Sequence, residues 1–210
     1  MKQRTDEWFA IRCGKITASK VIDLMRSGKS GKPSATRKNY IAEKVAEVLT
    51  GKVAETFTSA AMQWGNDNEE GARRAYEFET GYTVSEVGFV VHPLISQAGA
   101  SPDGLVNSDG MVEIKCPNTA QHIATVLNGT IDRKYEYQMQ MQLACTERIW
   151  CDFISYDPRM PEELQLCIIR RERNSKLIAE IEAATSEAIT EIQKTAELLN
   201  TIRSGKNVRE

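Results

Sequence analysis

No Cys-x-x-Cys pair occurs in this chain of 210 residues, and its five cysteines (Cys13, Cys116, Cys145, Cys151, Cys167) are scattered and odd in number. That pattern excludes a zinc knuckle and a disulfide framework and reads as buried free thiols. Histidine is scarcer. Only His92 and His122 occur, too far apart for zinc-ligand spacing, so chemistry resting on imidazole is not expected. No run approaches the ~20 apolar residues of a bilayer span, and the opening Met1-Lys2-Gln3-Arg4-Thr5-Asp6-Glu7 has no apolar stretch behind it. A cytoplasmic protein without membrane contact is expected. With 41% hydrophobic and 27% charged residues, the makeup is that of one globular domain and excludes disordered and collagen-like classes.

The formal net charge of −2 hides a segregation. Residues 1–52 carry twelve Lys/Arg against five Asp/Glu, whereas residues 53–113 carry two against ten. A basic front beside a carboxylate-rich middle suits a metal-dependent enzyme acting on a polyanion, since cations attract phosphate and carboxylates hold divalent metal. Folding can equally disperse these charges over a solvated surface, and charge alone favours that plainer view. The stretch from Arg26 to Ser34 has a superficial likeness to a phosphate-binding P-loop, but Lys32 is followed by Pro33 and no apolar strand precedes it. It reads as a flexible basic loop able to touch nucleic-acid backbone.

Hydrophobic spacing predicts the elements. Asp6 to Met25 reads as two short helices broken near Cys13-Gly14-Lys15. Tyr40, Ile41, Val45, Val48 and Leu49 mark a helix over about 36–50 ended by Gly51; Met62, Trp64, Ala72, Ala75 and Tyr76 mark another over 59–80 ended by Gly81. The period then changes to two. One strand runs through Val84, Val87, Phe89 and Val91 to Pro93, a second lies at Ala98–Ala100 and a third at Met111–Cys116. Helices at about 119–128 and 133–146 follow, then strands at Ile149–Tyr156 and Leu164–Arg170. Residues 175–203 read as a long amphipathic helix whose apolar stripe packs on its own domain. The expectation is an α/β fold, a central mixed sheet flanked by helices, in one domain. A basic helical part covers about 1–80, the core about 81–170 and the last helix about 174–203.

The informative segment is Ala100-Ser101-Pro102-Asp103-Gly104, followed by Glu113-Ile114-Lys115. On a strand side chains alternate, so Glu113 and Lys115 share one face while Val112, Ile114 and Cys116 take the other. Asp103 lies in a Pro-Asp-Gly turn, where a hairpin can bring it next to Glu113. Two carboxylates and a lysine then meet at one site. Phosphodiester hydrolysis uses these group types: hard oxygens hold Mg²⁺, the metal polarises phosphate and lowers the pKa of a bound water, and a lysine orients that water or offsets developing charge. The plain alternative is a solvated Glu-x-Lys pair, and the Ser-Pro-Asp-Gly upstream of it turns the preference toward a site.

This pattern resembles the PD-(D/E)XK nuclease superfamily and, within it, the lambda-type phage exonucleases, also grouped as YqaJ-like viral recombinases. Six motifs in the family's order carry the resemblance. They are Trp8 through Val21, Trp64-Gly65 with Glu69, Ser101-Pro102-Asp103-Gly104, Glu113-Ile114-Lys115-Cys116-Pro117, Tyr135 with Gln138 and Gln140, and Tyr156-Asp157-Pro158-Arg159-Met160. The resemblance implies a restriction-endonuclease-like core and a processive exonuclease. Such an enzyme digests one strand of linear double-stranded DNA from its 5′ end, releases mononucleotides and leaves a 3′ single strand. It further implies Mg²⁺, as two ions with Mn²⁺ as a substitute, a homotrimeric ring around the duplex, a partner single-strand annealing protein, and a phage or prophage gene expressed in a bacterial host.

By the same resemblance, Asp103, Glu113 and the Ile114 backbone carbonyl bind the metal, Glu69 adds a metal or water ligand, and Lys115 and Gln138 assist the attacking water. Arg12, Thr17, Ser19 and Ser101 match positions around the terminal 5′-phosphate, and Met62 matches an apolar wedge between the opening strands. Plainer roles stand beside these: Arg12 as a surface ion-pair partner, Thr17 as a helix N-cap, Glu69 as a solvated helix position with Glu70 competing for its role, and Met62 as packing. Gln138 and Gln140 lie two apart on a helix, so only one should reach the site. Between Pro117 and Tyr135 the chain is slightly shorter than the lambda type. The rival readings are another nuclease of the superfamily, an endonuclease or a single-strand exonuclease, and a non-catalytic DNA-binding subunit. The lack of four cysteine ligands weighs against an iron–sulfur single-strand nuclease.

Overall fold

The computed structural model describes residues 2–26, 33–53 and 59–205. Helix α1 (Asp6–Arg12) is capped by the Thr5 hydroxyl, which accepts from the Trp8 amide. The chain then turns at Gly14, where φ is +71° and a Cβ would lie 3.0 Å from Val48, so only glycine fits without strain. Strand β1 (Ile16–Thr17), a 3₁₀ turn over Ala18–Lys20 and helix α2 (Val21–Met25) follow. The break expected near Cys13–Lys15 is present, with a two-residue strand added. Of the basic loop, residues 27–32 lie outside the described residues. Helices α3 (Ala35–Thr50) and α4 (Ala60–Thr80) start at the Ser34 and Ser59 hydroxyls and stop at Gly51 and Gly81 in the left-handed conformation.

The single strand expected through Val84 and Val91 is instead two strands, β2 (Val84–Ser85) and β3 (Val90–Val91), in different sheets. The apolar spacing explains the split. Val84 and Val87 are three apart, so they cannot share a face of one extended strand, and the period of two resumes only from Val87. Strand β4 (Ala98–Ala100) lies between β1 and β3 in a small three-stranded sheet. The main sheet is five-stranded and mixed, in the order β2, β5 (Gly104–Val106), β6 (Gly110–Lys115), β7 (Trp150–Tyr156), β8 (Leu166–Glu172). Within this sheet only β6 and β7 run parallel among the described residues, as β1 and β4 do in the small one. Parallel neighbours need a long crossover, and α5 (Thr119–Asn128) with α6 (Arg133–Thr146) supplies it. Strand β5 was not expected, because three residues beginning on glycine carry no alternation to read.

Helices cover both faces of the sheet. Ala72 and Tyr76 of α4 pack on Val112, Ile114 and Ile154, while Met139 and Leu143 of α6 pack on Met111, Cys151 and Phe153. Glu113 therefore projects toward α6, the side of Met111. Helix α7 (Ser175–Arg203) lays Ile181, Ala188 and Ile192 against Ile41 and Val45 of α3 and Leu24 of α2, so its stripe does pack within the chain. All five cysteines are free; Cys116, Cys145 and Cys151 are buried, and burial raises their thiol pKa values. Among the described residues no helix is long and apolar enough to cross a membrane.

Candidate active site

The β5–β6 hairpin pairs Gly104 with Val112. Asp103, one residue before Gly104, is thereby set beside the next residues of β6, and its Oδ2 accepts the Ile114 amide at 2.7 Å. Glu113 is 0% exposed, which removes the solvated Glu-x-Lys alternative. Its Oε1 accepts from the Lys115 ammonium and from Gln138 Nε2 at 2.6 Å, and its Oε2 accepts from Gln142 Nε2 at 2.6 Å.

Helix α6 delivers both amides because Gln138 and Gln142 are four apart and share a face. Gln140 faces away, donating to the Glu172 carbonyl at 2.9 Å and accepting the Asn174 amide at 2.8 Å. Only one of Gln138 and Gln140 thus reaches the site. Gln142 was missed; its signal was the four-residue step from Gln138.

Burial, reinforced by the neighbouring charge of Glu113, pushes the Asp103 carboxyl well above the usual carboxylate range. Burial works against the Lys115 ammonium, but Glu113 and Asp103 outweigh it and the net shift is upward, so the lysine stays charged. A buried and a half-buried carboxylate therefore face one cation. Glu69 lines the same cleft, yet its carboxylate is held by Arg4 at 2.8 Å and Arg73 at 3.5 Å. Glu70 points outward and pairs with Arg74. The cleft, of about 610 Å³, also takes in Trp64, Tyr135 and Arg159. Met62 lines it too and is 53% exposed, so it is not core packing.

A smaller cavity of about 30 Å³ adjoins, lined by Arg12, Thr17, Ser19, Ser101, Gln138 and Gln142. The Arg12 guanidinium lies 3.8 Å from the Trp8 ring centre and donates to Ser101 Oγ at 3.4 Å. Its direct contacts are thus an aromatic face and a hydroxyl, with the Glu47 carboxylate acting on it only from a distance. Burial lowers its pKa, although a guanidinium stays charged. Ser101 Oγ also accepts from Trp8 Nε1 at 2.9 Å, and having accepted twice it can turn its proton to a ligand. Thr17 stands at the start of the 3₁₀ turn, where a cap would be, but its hydroxyl caps nothing. Its amide donates to the Tyr40 hydroxyl at 3.1 Å, which fixes the backbone of the cavity wall.

The donors can be tested against a divalent cation. A carboxylate offers about four acceptor positions. Glu113 has three in use and Asp103 one, leaving hard oxygens beside uncompensated negative charge. That chemistry fits Mg²⁺ or Mn²⁺. Among the described residues no third acidic, imidazole or thiol side chain converges with them, since Arg4 holds Glu69, so a backbone oxygen such as the Ile114 carbonyl would have to complete the set.

The family model described as the YqaJ-like viral recombinase domain matches residues 7–149. The chain belongs to this family. The matched span holds Arg12, Asp103, Glu113, Lys115 and Gln138. Among solved structures, the chain is similar to an alkaline exonuclease, LHK-Exo, from Laribacter hongkongensis, with 46% identity, a TM-score of 0.90 and coverage of 97% of this chain and 100% of that one. It is likewise similar to LHK-Exo in complex with dAMP, with 47% identity, a TM-score of 0.88 and coverage of 96% and 99%. A phage related exonuclease from Haemophilus somnus 129PT, 18% identical with a TM-score of 0.68 over 90% of this chain and 96% of that one, shares the fold. No curated protein matches.

Proposed function

We propose that this YqaJ-like recombinase is a phage-type exonuclease that degrades one strand of linear double-stranded DNA in the 5′→3′ direction. It releases 5′-mononucleotides and leaves a 3′ single strand for annealing-based recombination. The observation that carries the reading is adjacency: Ser19 and Gln138 line both the cleft of Asp103 and Lys115, beneath which Glu113 is buried, and the small cavity of Arg12 and Ser101. An anion pocket beside a hydrolytic cluster suits an enzyme that works from a phosphorylated end, whereas an endonuclease has no use for one. End-to-end similarity to an alkaline exonuclease supports the same class.

In this reading Arg12, Ser19 and Ser101 bind the terminal phosphate, the guanidinium through its planar fork and the hydroxyls as neutral donors. The Thr17 backbone shapes the pocket wall. Mg²⁺, held by Asp103, Glu113 and the Ile114 carbonyl with Glu69 as a further candidate, would polarise the scissile phosphate and lower the pKa of the attacking water. Lys115 orients that water and offsets the charge that develops on the phosphate oxygens. Gln138 fixes the Glu113 carboxylate and presents its amide to the water. Met62, at the cleft wall, wedges between the parting strands. Processivity follows from a homotrimeric ring that retains the duplex, with the basic front adding salt-sensitive backbone contacts. The partner is a single-strand annealing protein, and the setting is the cytoplasm of a bacterial host.

The test is Mg²⁺-dependent digestion of a linear duplex phosphorylated at one 5′ end and labelled separately at each 3′ end. Mononucleotides from the phosphorylated strand, an intact complement, and a silent Lys115→Ala variant that still binds DNA are expected. Equal loss of both strands, or cutting of a closed circle, would point to another nuclease of the superfamily. No degradation would point to a DNA-binding subunit.

A further inference from the structure

Gln142 belongs to neither group of residues that the sequence motifs single out, yet it touches both. It is 1% exposed. Its Nε2 donates to Glu113 Oε2 at 2.6 Å, while its Oε1 is buried without a hydrogen-bond partner in the protein. Rotating the amide would aim an oxygen at a carboxylate oxygen, so Glu113 fixes which end is which. The carbonyl is left for the other side, and the side chain lines the small cavity with Arg12, Thr17, Ser19 and Ser101. Every one of those side chains can donate a hydrogen bond. An unpartnered buried acceptor beside a cavity with several donors is costly unless one of them, or a water they hold, turns to it. A cavity of about 30 Å³ has room for a water.

We propose that Gln142 is a positioning residue joining the end-binding pocket to the cleavage site, its NH₂ holding Glu113 and its free carbonyl taking a donor of the pocket, foremost the Arg12 guanidinium, once a 5′-phosphate is seated. Seating a 5′-phosphate draws the pocket's donors inward, and their arrangement is passed through one rigid amide to the carboxylate at the reacting centre. The inference rests on the exonuclease reading above and adds to it a link between recognition of the end and orientation of Glu113. Gln138 makes an equivalent bond to Glu113 from the same helix face, but it has no such orphaned oxygen.

The experiment uses the full chain with Gln142→Met, close in size and without the amide, and with Gln142→Asn as a second variant should the first fail to fold. Two readouts are taken on duplexes with 5′-phosphate and 5′-hydroxyl ends: single-turnover digestion with Mg²⁺, and binding in EDTA by fluorescence anisotropy. The expected result is a preference for the phosphorylated end reduced roughly tenfold in both readouts, the scale of one hydrogen bond to a charged group. Arg12→Ala should then have little further effect on that preference in the Gln142 variant. An equal loss on both ends with an undiminished Arg12→Ala effect would overturn the link and leave Gln142 as a prop for Glu113 alone. Unchanged rates and binding would make it packing. If the wild type does not digest DNA, the exonuclease reading fails, and the EDTA binding preference still decides whether Gln142 serves the pocket.

Discussion

Glu113 and Asp152 are both buried carboxylates on adjacent strands of the main sheet, and they are partnered in opposite ways. Asp152, 2% exposed, accepts two hydrogen bonds from Arg170, each 2.8 Å, and one from the Tyr76 hydroxyl at 2.8 Å. The guanidinium lies 3.7 Å from the Trp150 ring centre. One negative group meets one positive group, and the corner is closed. Glu113 instead shares its corner with a second carboxylate, and a single lysine and two neutral amides answer them. A buried carboxylate with a full complement of partners serves the fold. One left in excess negative charge is a demand for a cation and marks a place for chemistry. Asp157 is of the first kind: hydrogen bonds from Arg159 and Thr119 hold its carboxyl far below the usual range.

The sharpest way to break this contrast is to remove the excess charge. Asp103→Asn keeps an acceptor for the Ile114 amide but deletes one of two adjacent negative groups. Digestion should fall by on the order of 10²–10³-fold, the scale for losing a group that acts on transition-state charge. Thermal melting in EDTA should stay at or above the wild-type value above about pH 8, where Asp103 is ionised and the substitution removes its repulsion with Glu113. A melting temperature several degrees lower would reassign Asp103 to the fold. The reverse holds across the sheet. Asp152→Ala leaves the buried Tyr76 hydroxyl without its acceptor and the Arg170 guanidinium, 41% exposed, without its partner, a loss of about 1–3 kcal/mol, which for a chain of this size lowers Tm by roughly 2–12 °C. The rate of the protein still folded should be unchanged. A specific loss of rate there would tie Asp152 to the reaction, and the milder Tyr76→Phe, costing about 1 kcal/mol, gives the same reading at lower risk to folding.

The two corners were not equally legible in the sequence. Asp103, Glu113 and Lys115 lie within thirteen residues on one hairpin, so strand alternation and a turn bring them together without any knowledge of the rest of the chain. Asp152, Arg170 and Tyr76 meet only through the β7–β8 register, which sets Asp152 opposite Arg170, and the docking of α4. Neither is written in local spacing. Gln142 shows the same limit: the helix period links it to Gln138, but only the position of α6 over β6 reveals that this face meets Glu113. The short strands failed for another reason. β2, β3 and β5 hold two or three residues each, too few for a period, and hydrogen bonding to neighbours alone defines them.

The small cavity at Arg12, proposed above to take the terminal phosphate, offers a smaller effect. Arg12 is caged by Trp8 and Ser101, with no carboxylate in direct contact and only Glu47 acting on it from a distance, and so mirrors the Glu113 corner with the sign reversed. Arg12→Ala should cut the rate advantage of 5′-phosphorylated over 5′-hydroxyl ends by about tenfold, the worth of one charge-assisted hydrogen bond. An equal loss on both ends would make Arg12 a general backbone contact.

Glu69 stands between the two kinds of carboxylate. It borders the cleft and adds to the upward push on Asp103, yet Arg4 and Arg73 already answer its charge. The Arg4 side chain is 53% exposed, and such a pair contributes only about 0–1 kcal/mol. Arg4→Ala should therefore barely move the melting temperature in EDTA while freeing the carboxylate to turn toward Asp103. The Mg²⁺ concentration for half-maximal digestion should then fall, by no more than about fivefold since 1 kcal/mol sets the ceiling. No change would class Glu69 with Asp152, as a residue of the fold. A higher Mg²⁺ requirement would mean that Arg4 holds Glu69 where the site needs it, so that the ion pair is part of the machinery and not a competitor for it.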